Sequence, residues 1–588
     1  MSNLSENKIC QNCKKEFTIE PEDFNFYEKI KVPPPTFCPL CRAERRFVFR
    51  NERRFFKVKD AFTGKDIFSL YPQESNRKII TQEEWHSDNW DSMSYGREYD
   101  FSVNFFEQFK ELEKEMPVLN LFVIRMINSP YCANATALKN CYLCFGSNYS
   151  ENCMYGNGID LSKDCIDNSH INKSERCYEC LWLESCYQCY FSMICKESQN
   201  LYFCRSCISC SNCFGCKNLR SSSYCIFNKQ YTKENYFKEL EKMNLNTISG
   251  LLKFREKARN FWKTQPNKYH QGLKNLNSTG SYVINCKNVN ESYFIRDGEN
   301  MKYCQYLQVP KNKDCYDTSV WGDNMELHYE TCLCGENSYN VMFSYNSWPS
   351  CHNIEYCMNL FSCSDCFGCV GLKKKQYCIF NKQYSKEEYF LMIEKIKKHM
   401  DEIPFIDKKG NIYKYGEFFP IEFSPFGYNN TIAIQHFQMT KKEAIKNGFF
   451  WIEVSPGEYK ITKKVSELPD LISEVSDDIL KDVIECDNCK NPYRILENEL
   501  IFYRKENLPI PNICSECRHE RRINDRLKIQ LYERKCMCAG TSDDTGKYKN
   551  TVKHVHGDGH CGEEFKTGYS SEGDEIVYCE KCYQQEVY

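Results

Sequence analysis

The chain has 588 residues, too many for one hydrophobic core, so several domains are expected. Its net charge of −2 excludes a globally basic nucleic-acid binder, and a mean hydropathy of −0.64 without a long apolar run excludes a membrane-spanning helix. The first residues lack a signal-peptide core, so a cytoplasmic location is expected; there, forty cysteines point to metal ligation and space filling rather than disulfides.

Residues 1–60 hold two knuckles, Cys10-x2-Cys13 and Cys38-x2-Cys41, with Pro33, Pro34 and Pro35 leading into the second. Two such knuckles close a tetrahedral thiolate shell around Zn²⁺, leaving no position for chemistry. Arg42, Arg45, Arg46, Arg50, Arg53 and Arg54 follow at once. Residues 61–126 form a connector with Trp85, Trp90 and Tyr95. Its Phe105, Phe106, Phe109, Leu112 and Met116 fall at helical spacing.

Within 127–232 a thiol or other small residue recurs at every third position. The 32 positions from Cys132 to Cys225 comprise 16 Cys, 7 Ser, 4 Leu, 2 Ile, Ala135, Gly156 and Asn168. This period fits neither a helix nor a simple strand; it fits a narrow β-solenoid with one residue in three pointing inward. Cysteine marks suggest coils of nine or twelve residues, with Asn140, Asn152, Asp164 and Asn212 as turn residues. The spacing resembles the small-coil solenoids of insect antifreeze proteins, without their Thr-x-Thr ladder. A disulfide ladder is the alternative use of these thiols.

A helical linker (233–276) leads to a second solenoid (277–384), with strand-like pieces such as Ser292–Arg296. Tyr-Cys-Ile-Phe-Asn-Lys-Gln-Tyr at 224–231 recurs at 377–384, an offset of 153, with Thr232 and Ser385 following as helix caps. The period of three is clear in this copy only from Cys351 to Cys378. Residues 385–480 hold a helix and a small α/β segment, with a helix expected from Thr440, a strand near Phe449–Val454, and Glu417 and Asn430 read as structural.

At an offset of 476 the beginning is repeated: Cys486, Cys489, Cys514 and Cys517 match the first four cysteines, and Arg518, Arg521 and Arg522 match Arg42, Arg45 and Arg46. This second ribbon spans 481–535. A third (536–588) is expected from His556, Cys561, Cys579 and Cys582; for its fourth ligand His556 comes first, with His554, His560 or the Cys536/Cys538 pair as alternatives. The fold class is therefore mainly β and multidomain, with terminal zinc ribbons flanking two Cys-rich solenoids joined by helices. About three structural Zn²⁺ are expected.

The N-terminal Glu-Asp-Phe-x-Phe-Tyr-Glu-Lys-Ile-x-Val-Pro-Pro-Pro run, Tyr-Gly-Glu-Phe-Phe-Pro (415–420) and the closing Tyr-Cys-Glu-x-Cys-Tyr resemble large uncharacterised multi-zinc-ribbon proteins of candidate-phylum, small-genome bacteria. The resemblance implies zinc and no established activity. Such sequences are sometimes labelled CaiB/BaiF CoA-transferases, but no Gly-rich nucleotide turn opening a βαβ unit supports that.

The functional expectation is a zinc-binding scaffold without catalysis, its ribbon Arg clusters (Arg42, Arg45, Arg46; Arg518, Arg521, Arg522) contacting RNA or DNA phosphates. Against this, the arginines could pair with nearby Glu20, Glu22 and Asp23. One alternative is a protein-interaction scaffold using solenoid aromatics such as Tyr142, Tyr178 and Tyr187. Another is a metal enzyme: an iron–sulfur centre on Cys204, Cys207, Cys210, Cys213 and Cys216, or a hydrolytic zinc at the third ribbon with Glu563 or Glu564 as base.

Overall fold

The computed structural model describes residues 4–453, 459–540 and 548–588. From Asn134 to Phe227, every third residue lies in the left-handed backbone region, without exception. Each such residue turns the chain, so four turns close a coil of four short sides. Left-handed backbone is unfavourable for non-glycine residues, and the hydrogen bonds that the coil shape creates must offset it.

Those bonds explain the composition. Of each three backbone N–H groups, two join the neighbouring coil: Tyr142 donates to the Cys153 carbonyl at 3.0 Å and Tyr155 to the Tyr142 carbonyl at 2.9 Å. The third belongs to the inward residue and points into the core, where it needs an acceptor. The inward side chain one coil earlier supplies it: Ser162 N donates to Ser150 Oγ at 3.1 Å, Ser174 N to Ser162 Oγ at 3.1 Å and Cys186 N to Ser174 Oγ at 3.2 Å. Inward thiols in turn donate to carbonyls, as Cys141 Sγ does to Lys139 O at 3.4 Å. Cys and Ser are small enough to fit and polar enough to satisfy this backbone.

Strand register advances by one constant step throughout the first solenoid, as in Leu181↔Met193 and Cys213↔Cys225. That step is the twelve-residue coil; coils of nine do not occur, and spacings of nine arise because cysteines occupy different sides of successive coils. The Asn turn residues stack in register, Asn140 Nδ2 on Asn152 Oδ1 at 3.2 Å and Asn152 Nδ2 on Asp164 Oδ1 at 2.9 Å.

In the second solenoid the period of three is displaced rather than lost. The steps Glu326↔Tyr339 and Tyr339↔His352 are each one residue longer than a regular coil. Each added residue shifts the inward phase, so Met325, Ser338 and Cys351 fall on three different phases and only the stretch after Cys351 reads regularly. Ser292–Arg296 is a strand, as expected.

Both solenoids end alike. The last strand (Ser223–Ile226, Gln376–Ile379) turns back on a short antiparallel strand, and an Asn imitates the missing next coil. Asn228 pairs through its amide with Lys217 N and O, both at 2.9 Å; Asn381 pairs with Val370 N at 2.9 Å and O at 2.8 Å. A helix capped by Thr232 or Ser385 then leaves the edge. The solenoids pack side by side through Trp182 on Tyr282 (4.2 Å between ring centres) and His170 on Phe294 (4.4 Å).

The connector helix is Phe105–Glu115, its phenylalanines packed on Tyr356, Phe367 and Phe419. Thr440 caps the helix Lys441–Lys446, but residues 449–453 form no strand, and Val454 lies outside the described residues. No helix among the described residues is long and apolar enough to cross a membrane.

Candidate metal centres and buried arginine clusters

Each ribbon is a β-hairpin followed by a helix that begins at a cysteine. In the first, Glu6–Ile9 pairs with Glu16–Ile19, Cys10 and Cys13 sit at the turn, and Cys38 caps the helix Pro39–Phe47. Cys10, Cys13, Cys38 and Cys41 form one group and Cys486, Cys489, Cys514 and Cys517 another, the ligand atoms of each lying within 4.8 Å of one another. A tetrahedral site with metal–sulfur bonds of ~2.3 Å requires sulfurs ~3.8 Å apart. Cys13–Cys38 is 3.7 Å, and Cys489–Cys514 and Cys486–Cys517 are 3.8 Å. These separations suit a shared ion and are far too long for disulfides. Backbone amides are aimed at the thiolates in the same way in both: Cys38 N to Cys10 Sγ and Cys514 N to Cys486 Sγ, each 3.2 Å. Asn12 and Asn488 each reach the last cysteine at 3.3 Å.

In the third ribbon the first choice for the fourth ligand, His556, gives way to Cys536, one of the alternatives. The ribbon's group is Cys536, Cys561, Cys579 and Cys582, with Cys561–Cys579 at 3.9 Å and Cys579 N on Cys536 Sγ at 3.2 Å. Cys536 follows the strand Tyr532–Lys535 as Cys10 follows its strand, and Cys561 precedes Glu564–Thr567 as Cys13 precedes its partner. The knuckle was thus legible at Cys561, whereas Cys536 stood only among the alternatives, because the whole of 537–560 intervenes where the other ribbons have two residues. His556 belongs to a second, adjacent group with Cys538, His554 and Cys582, and His560 belongs to neither. Glu563 and Glu564 pair with Lys581 and Lys535 at the surface. Four cysteine sulfurs alone suffice for a tetrahedral site here.

The arginine clusters point inward. Arg42, Arg45 and Arg46 are at most 2 % exposed and lie on strands Asn312–Ser319 and Glu326–Cys332 of the second solenoid. Arg42 meets Asp317 at 2.8 Å, Arg45 meets Glu330 at 2.8 Å and Glu417 at 2.9 Å, and Arg46 meets Glu330 at 3.0 Å and Asp317 at 3.2 Å. Three guanidiniums thus face three carboxylates. In the second ribbon Arg518 meets Asp167 at 2.7 Å and Glu499 at 3.6 Å, Arg522 lies 3.5 Å from Asp167, and Arg521 pairs with Glu179. Burial pushes the Glu179 carboxyl up, but Arg521 and Arg255 outweigh it and hold it down at about 2. The partners are remote acids rather than Glu20, Glu22 or Asp23; Asp23 instead pairs with Lys302 at 2.8 Å. Glu417 is structural as expected, also accepting from Thr36 N at 2.9 Å.

Five of the six arginines are thus enclosed by carboxylates and at most 4 % exposed, while Arg521 remains 24 % exposed beside Glu179. Tyr178, expected on an open face, is buried against Tyr503. Cys204, Cys207, Cys210, Cys213 and Cys216 occupy successive inward positions, and no solenoid cysteine joins a four-ligand group among the described residues. Each donates to a carbonyl, as Cys204 Sγ does to Cys213 O at 3.4 Å. All forty thiols are free.

No family model matches the chain, and no curated protein matches it. Among solved structures, one from Desulfovibrio desulfuricans described as a "putative acetyltransferase" aligns over 50 % of this chain and 86 % of its own, at 8 % identity and a TM-score of 0.10. A score that low carries no argument about fold or activity.

Proposed function

We propose that the chain is a zinc-stabilised, non-catalytic scaffold that binds a protein partner on its exposed solenoid surface. The observation that carries this reading is the use of the ribbons: their metal sites are closed by protein ligands, and their helices spend their charge on the solenoids. Of the six cluster arginines only Arg521 keeps a substantial part of its side chain in solvent. Zinc is the ion that closed four-thiolate ribbons select. The first solenoid keeps one flat side in solvent, where Lys139, Glu151, Lys163, Glu175 and Tyr187 stand in register on successive coils. Lys139 and Glu151 pair there at 2.9 Å. A rigid ladder of alternating charge loses little entropy on binding and favours a partner of complementary charge order.

A salt titration tests this. The full chain, mixed with random RNA or single-stranded DNA at low salt, should show no measurable binding. Binding that weakens steeply as salt rises would establish counterion release and replace the protein-scaffold reading with nucleic-acid recognition.

A further inference from the structure

Where the first two ribbons have two residues between their knuckle cysteines, the third has the whole of 537–560, a stretch that carries Cys538, His554 and His556. The three converge on Cys582, which the Cys536, Cys561 and Cys579 group also contains; within each group the ligand atoms lie within 4.8 Å of one another. We infer that the third ribbon holds two metal ions joined by the Cys582 thiolate, one in a four-cysteine shell and the other bound by Cys538, His554, His556 and Cys582. This rests on the ribbon reading above and adds an ion to it.

The second shell is arranged for this. Tetrahedral geometry with metal–sulfur ~2.3 Å and metal–nitrogen ~2.0–2.1 Å puts neighbouring S and N ~3.6 Å apart. Cys538 Sγ lies 3.2 Å from His554 Nδ1 and 3.2 Å from His556 Nε2. His554 directs its other nitrogen, Nε2, to Glu586 at 3.2 Å, the two side chains being at most 1 % exposed. A buried carboxylate there fixes the proton on Nε2 and leaves Nδ1 with its lone pair toward the thiolate, the usual support for a metal-binding imidazole. Glu586 is held by Tyr548 Oη at 2.7 Å and Thr551 N at 2.9 Å, which ties the inserted loop to the terminal helix. Asn550 Nδ2 donates to Cys538 Sγ at 3.0 Å while its Oδ1 accepts from Tyr578 Oη at 2.7 Å, so the amide is locked with its donor toward the sulfur.

Charge favours the pair of ions. One dication in four thiolates leaves the buried site net negative, with Cys538 and the buried Glu586 beside it. A second dication outweighs the one further thiolate it recruits and makes the site less negative. An inserted loop this long gains its staple from the second ion, as small metal-bound units do.

The test is metal content of the purified full chain by mass spectrometry, with cadmium NMR of the exchanged protein. Four equivalents of zinc are expected, falling to three in the His554→Gln/His556→Gln variant. Cadmium should give three resonances in the all-thiolate range and one upfield, the last coupled through Cys582 to one of the others. The wild-type spectrum needs no variant to fold. Three equivalents, with no upfield resonance, would overturn the second ion and leave the ribbon reading intact; two or fewer would overturn both.

Discussion

Arg518 Nε lies 2.7 Å from Asp167 Oδ2, both side chains at most 1 % exposed, although the residues are 351 positions apart. The same relation recurs at Arg42 and Asp317, 2.8 Å apart and equally buried. In each case the acid has a companion one coil further on, Glu179 after Asp167 and Glu330 after Asp317, and all four acids sit at left-handed turns. Ribbon and docking column were therefore duplicated together, but with crossed use: the N-terminal ribbon docks on the second solenoid and the C-terminal ribbon on the first. The crossing ties the two ends of the chain to its middle.

Breaking one of these columns should be costly. Glu330 is fully buried and faces Arg45 and Arg46, with Arg42 3.7 Å away. Glu330→Gln keeps the shape but leaves three guanidiniums with one carboxylate fewer, and removing one partner of a buried ion pair costs about 3–5 kcal/mol. A fall of several degrees in the thermal midpoint is expected. The surface variant Glu151→Gln, which loses only its pair with Lys139, should change stability by less than about 1 kcal/mol. Equal effects from the two would disprove the buried-column argument.

The forty thiols should divide by location. Of the 27 from Cys132 to Cys378, all but Cys332 are buried in the solenoid cores, and all but Cys132 and Cys332 donate to carbonyls, whereas the 13 in the ribbons lie in groups that could hold metal. Alkylation of native protein should label few thiols of either set; chelation followed by alkylation should label the ribbon thiols and spare the solenoids. Cys153→Ser should be tolerated, since Ser fills equivalent positions in the same ladder, whereas Cys207→Arg should unfold its coil by burying an unpaired charge. Rapid labelling of the central set in native protein would contradict the inward packing.

Much of this was legible because the coil geometry acts directly on sequence. A side that exposes two residues and buries one writes its period into the chain, as the run from Cys132 to Cys225 shows, and each knuckle writes its Cys-x2-Cys. The second solenoid was harder because single extra residues before Ser338 and Cys351 shift the phase without changing the structure. Cys536 ranked only among the alternatives because of the length of the insertion after it. The direction of the Arg clusters was not readable at all: an Arg run beside a ribbon looks the same whether it faces water or a carboxylate in a distant part of the chain, and the acids that receive it stand at turn positions where Asp and Glu attract no notice.

The edge caps give a sharper test of the duplication. Asn381 is fully buried and satisfies both N and O of Val370, and Asn228 does the same for Lys217 with more solvent nearby. Asn381→Leu leaves two buried backbone groups without partners, at about 1–3 kcal/mol each. Hydrogen exchange at Val370 should then rise markedly, while Asn228→Leu should have the smaller effect. Unchanged protection at Val370 would show that the amide is not the cap.

Glu44 provides the pH dependence. It lies on the first ribbon helix, 8 % exposed, with Tyr428 Oη donating to its Oε1 at 2.9 Å. Burial raises its carboxyl from 4.5 to about 7, only partly opposed by Tyr428 and Lys409. Because the folded state holds this proton to higher pH than the unfolded chain, the contribution is fully present below about pH 4.5 and is lost as pH rises through 7. Glu44→Gln keeps an acceptor for Tyr428 and removes the titration. A difference of this size between folded and unfolded carboxyl corresponds to about 3 kcal/mol at most. The variant should therefore match wild type near pH 4 and exceed it at pH 8, with a thermal midpoint higher by a few degrees at pH 8 alone. A midpoint difference that is the same at both pH values would mean that Glu44 ionises in the folded protein as it does in water.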